Sequence, residues 1–512
     1  MLRAAVIFFI LTTSFHTGFG AEPTEKLQEA IQSTGDKSES AELYKRLGDQ
    51  YVSQDKTDEA AEAYIKALSL SRERFSAGER FRMAIYLSWA DRLKEAIIEL
   101  RLIVNEDPKN LAPRIHLARV LSWAGELTES IEEADKVLQE SPENRDALLV
   151  KADALQWKGR YKTAIAIYRH LLEKEENFDA RVGLSYALLS SGDRTGTEES
   201  RRLLKPVNAP QERGLKKLTE AIERVTKPKL DLRYNYYKDS DDNRLHRYNL
   251  LYGFWLSNLY LDLNFRHTDA RDKIRDRRAE DFSFKGYANL TESLGVGGGL
   301  GFSQLGNGGT TNFFTGHIKL DARLFNGIVG ANVSRDILTD TAQLIENRIR
   351  MTTTGFYASQ ALTDRFSLYG GYNYKHFSDR NRAHDVQFVS QYAVYLNPRI
   401  AVGHRFRFLD FRRQSGSGYF DPDNYVSNRF FTSLYLEREK FYVYSELFIG
   451  HQSFRRNSFP TDDFISGGGA SLGFKPTQNT ALELNLEGGN FAAGTASGFQ
   501  YFTIGPRFLF RF

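Results

Sequence analysis

The sequence contains no cysteine among its 512 residues. A chain without thiols forms no disulfide, carries no lipid on an N-terminal cysteine and holds no thiolate-ligated metal or redox centre. Its charges nearly cancel, with 69 Lys and Arg against 65 Asp and Glu and a formal net charge of +4. This balance gives no electrostatic basis for binding nucleic acid. Disulfide scaffolds and thiol chemistry are therefore excluded, and we do not expect nucleic acid as a partner.

Long hydrophobic runs are also absent beyond the first residues. Arg3, an apolar run over residues 4–11 and a polar stretch closing on Gly18 and Gly20 have the layout of a secretory signal peptide. We assign residues 1–20 to that signal, because the run is well short of the roughly 20 residues that a membrane helix needs. A β-barrel escapes this hydropathy test, since its strands face lipid with only every second residue, and it must be sought as alternation.

The first half of the chain has a repeat of 34 residues. Trp89, Trp123 and Trp157 recur at this spacing in an Ala-, Leu- and Glu-rich region with helical periodicity. The same spacing relates Ala96, Ser130 and Ala164, then Leu100, Ala134 and Tyr168, then Ile103, Val137 and Leu171. This pattern resembles tetratricopeptide repeats, which are helix-turn-helix units with small residues where paired helices cross. About five units fit, and they predict a helical solenoid over residues 21–225.

The three tryptophans have two possible roles. They either pack beneath the turn between the paired helices or form a ladder along the concave groove, where a peptide or a sugar would bind. The sequence leaves both roles open, with packing the commoner situation for such residues.

From Thr226-Lys227-Pro228 onward the period changes to two. Leu482, Leu484 and Leu486, for example, alternate with Glu483 and Glu487. Turn signals divide residues 229–512 into about sixteen strands of 10 to 14 residues. Short connections alternate with longer polar ones, which we expect to be outer loops, among them residues 337–343, 414–424 and 455–463. This is typical of an antiparallel outer-membrane β-barrel in outer-membrane lipid, with both of its ends and the repeats in the periplasm.

The final residues carry a second indication. Gly505, Phe508, Phe510 and Phe512 resemble the C-terminal signal by which the barrel-assembly machinery recognises its clients. This resemblance implies that machinery as a partner.

Repeats with Leu-x-Trp-x-Gly units, joined to a barrel of this size, resemble the bacterial exopolysaccharide export porins, including the cellulose and poly-N-acetylglucosamine exporters and the YaiO-type barrels. The sharpest local match lies in the longest predicted outer loop and comprises Tyr419, Phe420, Asp421, Pro422, Asp423 and Tyr425. It is similar to the Tyr/Phe-x-Pro-x-x-Tyr segment of the cellulose-type exporters. There the residues flanking Pro are usually Ser and Gln, and here both are Asp, so the polymer is not specified.

The resemblance implies a porin that carries an exopolysaccharide to the cell surface, with repeats that recruit periplasmic or inner-membrane synthesis proteins or hold the polymer. The strand pattern predicts a charged lumen, whose charges either bind sugar or pair across the wall to hold the barrel's shape. Its candidate residues are Arg247, Arg266, Arg350, Arg405 and Arg407. No catalytic or metal-ligand constellation stands out, so we expect neither enzymatic activity nor a cofactor. The alternative function is a translocator of surface proteins or lipoproteins, or a structural barrel with a protein-binding scaffold.

Overall fold

The computed structural model describes residues 24–291, 293–306, 310–456, 458–491 and 498–512. Within them the chain forms two compact units, one running to Ala187 and including Ser200–Leu215, the other comprising Leu188–Glu199 and Lys216–Phe512. Helices fill the first unit, and the second contains a closed barrel of sixteen antiparallel strands, which confirms the predicted fold class. The predicted signal peptide, residues 1–20, lies outside the described residues.

Twelve α-helices precede the first strand in the described chain, and among α1 to α9 each helix packs against its neighbours in sequence. They are α1 Thr24–Ser33, α2 Lys37–Ser53, α3 Thr57–Ser71, α4 Ala77–Trp89, α5 Leu93–Glu106, α6 Leu111–Ala124, α7 Leu127–Glu140, α8 Arg145–Trp157, α9 Tyr161–Lys174, α10 Phe178–Ser191, α11 Arg194–Arg202 and α12 Ala209–Thr226. Alternate helices also touch, α4 with α6 and α6 with α8, as expected of stacked helix pairs.

The core of the helical unit coincides with the positions that recur every 34 residues. Ala96, Ser130 and Ala164 are fully buried, and small side chains there let the paired helices approach closely. The Ser130 hydroxyl donates to the carbonyl of Ala118 at 2.7 Å, so its burial leaves no polar group unpaired. Tyr168 is completely buried in the last of these units, and burying a side chain of this size contributes roughly 1.5–3 kcal/mol.

Local signals set the ends of these helices. Asn110 and Asn144 accept hydrogen bonds from backbone N–H groups in the first turns of α6 and α8. Gly125 ends α6 with a φ of 86°, a left-handed conformation that only glycine adopts without strain.

The barrel strands pair in sequence order, and β1 closes the sheet by pairing with β16, from Lys229 opposite Arg511 to Asp239 opposite Tyr501. They are β1 Lys229–Asp239, β2 Arg244–Leu256, β3 Leu259–Arg271, β4 Asp276–Asn289, β5 Leu294–Gly306, β6 Thr310–Leu324, β7 Gly327–Ile337, β8 Arg350–Ala361, β9 Phe366–Phe377, β10 Arg382–Leu396, β11 Arg399–Phe411, β12 Asp423–Glu437, β13 Phe441–Arg456, β14 Phe459–Phe474, β15 Thr480–Gly489 and β16 Tyr501–Arg511. A closed sheet leaves no unpaired edge, which a membrane-spanning β-structure requires.

Strand alternation places apolar side chains outside and polar side chains inside. On β1, Asp231 is 1% exposed, whereas the adjacent Leu232 is 36% exposed. Large apolar side chains are exposed on the outer face of many strands, among them Leu250, Phe284, Leu300, Phe314, Ile318, Phe356, Phe430, Leu447, Ile449 and Phe464. An apolar outer belt around a polar interior is the pattern of an outer-membrane barrel.

The two ends of the barrel differ. We call the end with the β2–β3, β4–β5 and similar connections the short-turn end, and the opposite one the long-loop end. Outward-facing tyrosines near the long-loop end pair with histidines, as Tyr234 does with His246 at 2.8 Å and Tyr372 with His384 at 2.9 Å. Such side chains suit a membrane interface, since one end of each is apolar and the other polar. No helix in the described part of the chain is long and apolar enough to cross a membrane.

One predicted outer loop is short in the structure. In the polar stretch 455–463, residues 455–456 belong to β13 and residues 459–463 belong to β14. The polar residues of this stretch therefore belong to the ends of two strands and not to a long loop. Glycine on β14 permits the close approach of a neighbouring ring, because a side chain at Gly473 would collide with the ring of Tyr442.

Candidate transport lumen and its plug

Charged side chains line the inner wall and pair with one another. Arg407 binds Asp385 through two hydrogen bonds of 3.0 Å, and Lys375 reaches the same carboxylate at 2.7 Å. Arg405 contacts Glu446 at 3.0 Å, and Arg266 contacts Asp281 at 2.9 Å. Three of the five predicted lumen arginines are thus held by carboxylates, on the adjacent strand for Arg407 and Arg266 and on the next strand but one for Arg405. This pairing fixes the shape of the wall and lowers the cost of burying each charge.

The other two lumen arginines lie near the long-loop end. Arg247 on β2 donates to the Thr339 carbonyl at 3.0 Å and to Asp340 at 2.6 Å, both in the loop between β7 and β8. Arg350 is the first residue of β8, and its guanidinium lies 5.5 Å from the ring centre of Phe313. Because β8 begins at the long-loop end, its first residue Arg350 lies at the rim of the barrel rather than in the middle of the lumen.

The β7–β8 loop, residues 338–349, folds into the barrel mouth. It contains a short helix, α13 Ala342–Asn347, whose first turn is capped by the Thr341 hydroxyl. Ala342 and Ile345 pack against inward-facing Leu245 and Leu305 of the wall. Glu346 bridges Arg275 and Arg277 at the rim, with 2.6 Å to Arg277. The helix is thus fixed to β2, β4 and β5 by both apolar and charged contacts.

The β11–β12 loop, residues 412–422, meets α13 from the other side. Gln343 donates to the Gly416 carbonyl at 3.2 Å, and Asn347 donates to the Ser417 carbonyl at 2.9 Å. Leu344 packs into one cluster with Tyr419 and Phe420. The two loops, which we call the plug, together span the long-loop end of the lumen.

The sequence motif forms the centre of this plug. Tyr419, Phe420, Asp421 and Tyr425 are all buried, with exposures of 1–3%. The Tyr419 ring stacks on Phe377 at 4.5 Å, and its hydroxyl donates to Asp379 at 2.7 Å. Pro422 is also buried, and Asp423 opens β12. The motif therefore acts by packing inside the mouth, not as an exposed loop.

Two acidic groups have opposite pKa shifts, namely Asp421 in the plug and Asp379 in the β9–β10 loop that contacts the plug. Burial works against ionisation of Asp379, but hydrogen bonds from the Ser417 and Tyr419 hydroxyls outweigh it, and the pKa of Asp379 lies below its usual value. Burial dominates at Asp421 and raises its pKa, although the backbone N–H and hydroxyl of Ser415 both donate to it. The ionised form is thus disfavoured at Asp421 and favoured at Asp379.

The sequence interpretation missed α13 and its wall contacts. The stretch 337–343 was expected to be a polar outer loop. A signal was present, because Leu338, Leu344, Ile345 and Ile349 are apolar in a region expected to face water. Apolar residues in an outer loop of a barrel indicate that the loop folds inward.

Below the plug the wall leaves room for a polar ligand. A cavity of about 400 Å³ lies against β3 to β7 and is lined by Asn264, Ser283, Lys285, Thr315, His317 and Asn332, among others. Near the short-turn end of β12 and β13, the hydroxyls of Tyr435 and Tyr444 donate to Glu437 at 2.8 Å and to Glu446 at 3.0 Å. Amides, hydroxyls, carboxylates and tyrosine rings are the groups with which proteins bind sugars.

Comparison with protein-family models matches residues 124–189 to a tetratricopeptide repeat. Together with the 34-residue period and the stacked helix pairs, this match identifies the helical unit. It is a tetratricopeptide repeat array. No curated protein sequence matches the chain.

Solved structures resemble parts of the chain. A bacterial polysaccharide outer membrane secretin has 10% identity and a TM-score of 0.46, over 56% of this chain and 99% of that one. A tetratricopeptide repeat protein from Parabacteroides merdae has 17% identity and a TM-score of 0.34, over 40% and 78%. CdiB from Acinetobacter baumannii has 14% identity and a TM-score of 0.37, over 56% and 60%. Likenesses at this level do not identify the function.

The tryptophans of the tetratricopeptide array are all partly buried. Trp123 packs against the main helical core and lies edge-on to His116, with ring centres 6.4 Å apart. Trp89 contacts the ring of Tyr86 edge-on at 4.9 Å. For Trp123 these contacts favour packing over a groove ladder. Trp157 is also partly buried, and whether it packs beneath the turn or faces the groove stays a prediction.

The tetratricopeptide array also buries a carboxylate. Asp153 on α8 accepts a hydrogen bond of 2.5 Å from the Tyr168 hydroxyl. Burial raises the pKa of Asp153 to about 7, even though this hydrogen bond and the charge of Arg119 lower it. No group of three or more His, Asp or Glu residues in the described ranges is placed to hold a metal ion.

The predicted assembly-signal residues lie on β16 and just beyond it. Gly505 approaches the backbone of β1, and a Cβ there would come within 2.8 Å of the Tyr234 carbonyl oxygen. Phe508 and Phe512 are exposed, and the rings of Phe510 and Phe512 meet edge-on at 5.0 Å. Recognition by the assembly machinery stays a prediction.

Proposed function

We propose that this chain conducts an exopolysaccharide through the outer membrane. The observation that carries the proposal is a lumen wall that is polar below the plug, with paired charges, tyrosine hydroxyls and a cavity of about 400 Å³. A hydrated polymer needs such a path, because hydroxyl groups lose their hydrogen bonds in an apolar channel. The likeness of residues 419–425 to the cellulose-type exporters supports the same substrate class.

The plug acts as a gate in this proposal. Its two loops close the long-loop end in the resting protein and part when the polymer arrives. The interface between them is suited to this, because among the described residues it consists of two hydrogen bonds to the Gly416 and Ser417 carbonyls and the packing of Leu344 in the cluster of Tyr419 and Phe420. The wall contacts of α13, which include Glu346 with Arg275 and Arg277, keep that half of the plug in place.

The tetratricopeptide array serves as the periplasmic partner site. Such arrays present a concave groove to a ligand while each unit packs on its neighbours. The array precedes β1 in the sequence, and β1 begins at the short-turn end of the barrel. We propose that it recruits a periplasmic or inner-membrane synthesis protein, or holds the growing polymer.

A deletion strain tests this function. Extracellular polysaccharide and surface-exposed lipoproteins are measured in parallel, with and without the restored gene. The proposal expects extracellular polymer to fall about tenfold or more and to return on complementation, while lipoproteins still reach the surface. Unchanged polymer together with lipoproteins trapped in the periplasm would instead assign the chain to protein translocation.

A further inference from the structure

Arg429 is a buried charge without an acidic partner. It lies in the middle of β12, faces the lumen and is 9% exposed. Its direct neighbour on β11 is another arginine, Arg405, and its neighbour on β13 is Gly450, which has no side chain. The Nε of Arg429 has no hydrogen-bond partner, and no carboxylate of the described residues pairs with it.

The nearby carboxylates are already used by other cations. Glu446 binds Arg405 at 3.0 Å. Asp385 binds both Arg407 and Lys375. Within the described part of the chain, the four cations of this group thus face two carboxylates, those of Glu446 and Asp385; the cations are Arg405, Arg407, Arg429 and Lys375. The middle of the lumen carries a local excess of positive charge.

Cation–π contacts with two aromatic rings offset part of the free energy that Arg429 loses on leaving water. Its guanidinium lies 4.5 Å from the ring centre of Phe491 and 5.3 Å from that of Phe448. Such contacts attract a cation, but they do not supply the hydrogen-bond acceptors that a guanidinium loses on leaving water. A full negative charge is the partner that buried arginines ordinarily have.

We infer that Arg429, together with Arg405, binds an anionic group of the transported polymer, which makes the substrate an acidic polysaccharide. This inference rests on the proposed function. The recognised chemistry is a carboxylate, sulfate or phosphate substituent, because the planar fork of arginine matches two oxygens of such a group. The site lies between the sugar-compatible wall at the short-turn end and the plug, so each acidic unit meets it on the way out.

Binding to the purified full chain in detergent tests the site by isothermal titration. The probes are a uronic-acid hexasaccharide, the same hexasaccharide with its carboxyl groups reduced to alcohols, and inorganic phosphate. The wild-type protein binds the acidic hexasaccharide at least about tenfold more tightly than the reduced one. Arg429→Gln removes that preference. Arg233→Gln is the matched control, because it removes one positive charge from the lumen near the short-turn end. Its partner Asp231 remains paired with Arg507 in that variant.

Thermal unfolding separates binding from a structural role. Removing an unpaired buried charge leaves the melting temperature of Arg429→Gln equal to or above that of the wild type. A marked fall would show that the guanidinium holds the wall together and would overturn the inference. Arg429→Lys covers the case in which the glutamine variant does not assemble. It keeps the charge, loses the fork and binds the acidic probe more weakly than the wild type does.

Three binding results contradict the inference. They are equal affinity for both hexasaccharides, an acid preference that Arg429→Gln and Arg233→Gln change equally, and phosphate binding as tight as that of the acidic hexasaccharide. The deletion strain distinguishes this failure from that of the proposed function. If the restored polymer contains no acidic group, export stands and the acidic assignment fails. If no polymer changes, export fails, and the titration still decides whether Arg429 binds anions.

Discussion

Tyr419 anchors the β11–β12 half of the plug to β9, β11 and the β9–β10 loop through both its ring and its hydroxyl. The ring stacks on Phe377 and Phe411, and the hydroxyl meets Asp379 and Asn381. Tyr419→Ala removes a buried aromatic ring and costs the closed plug about 3–5 kcal/mol. Tyr419→Phe keeps the stack and costs about 1–2 kcal/mol through the lost hydrogen bonds.

Single-channel recording in planar bilayers measures this difference. Opening should be most frequent for Tyr419→Ala, intermediate for Tyr419→Phe and rarest for the wild type. If the alanine variant stays closed like the wild type, Tyr419 does not hold the plug.

The raised pKa of Asp421 predicts that the stability of the closed plug depends on pH. Its pKa in the closed plug is raised above the usual 3.8, so the closed state holds the proton more tightly than the open one. The stability that this proton contributes is present below about pH 3.8 and is lost as the pH rises through the raised pKa. Asp421→Asn stays neutral throughout, and its amide oxygen still accepts from Ser415.

The wild-type channel should therefore open more often at about pH 7 than at about pH 4, and Asp421→Asn should change less over that range. Asp379 acts in the opposite direction and mainly below this window, because its pKa lies below the usual 3.8 and its contribution to the closed plug is lost only as the pH falls through that lowered pKa. An identical pH response of the two proteins would refute the role given to Asp421.

At the residue scale the sequence identified the motif residues of the plug but not the residues that they contact. Tyr419 and Asp421 were predicted in an outer loop, and they lie in its buried centre. The partners that bury this loop, Gln343 and Asn347, are about 70 residues away in the chain. Strand alternation, which is a local signal, does place Arg266, Arg405 and Arg407 on the inner wall, because it depends only on the neighbouring residues.

Elements with a strong period were predictable. The helices repeat every 34 residues, and sixteen strands follow from alternation and turn signals. Helix α13 was not, because six residues are too few to establish a period, and its formation depends on contacts with Leu245 and Leu305 of the wall.

The tetratricopeptide elements give a further prediction. Trp123 packs against the helical core, so Trp123→Ala should lower the melting temperature of the helical circular-dichroism signal, with a loss of about 1–3 kcal/mol for a half-buried ring. Glu132, an exposed residue of α7, provides the control as Glu132→Ala. A variant that melts like the wild type but loses polymer export would place Trp123 in a binding groove instead.

For the whole molecule, the two ends of the barrel should face opposite sides of the membrane. The chain has no cysteine, so a single introduced thiol reports one position. Ile274→Cys, 80% exposed in a long loop, should react with a membrane-impermeant maleimide in intact cells. Glu439→Cys in a short turn should react only after permeabilisation. The reverse pattern would place the repeats outside the periplasm.

The most direct test of the account is to lock the plug. Asn347→Cys and Ser417→Cys face each other across the two loops, where Asn347 donates to the Ser417 carbonyl at 2.9 Å. A short thiol crosslinker that a reductant cleaves joins the loops in cells that secrete polymer, with each single-cysteine variant as control. The account predicts that crosslinking stops polymer secretion in the double variant alone and that reduction restores it. Undiminished secretion from fully crosslinked cells would contradict passage through the lumen.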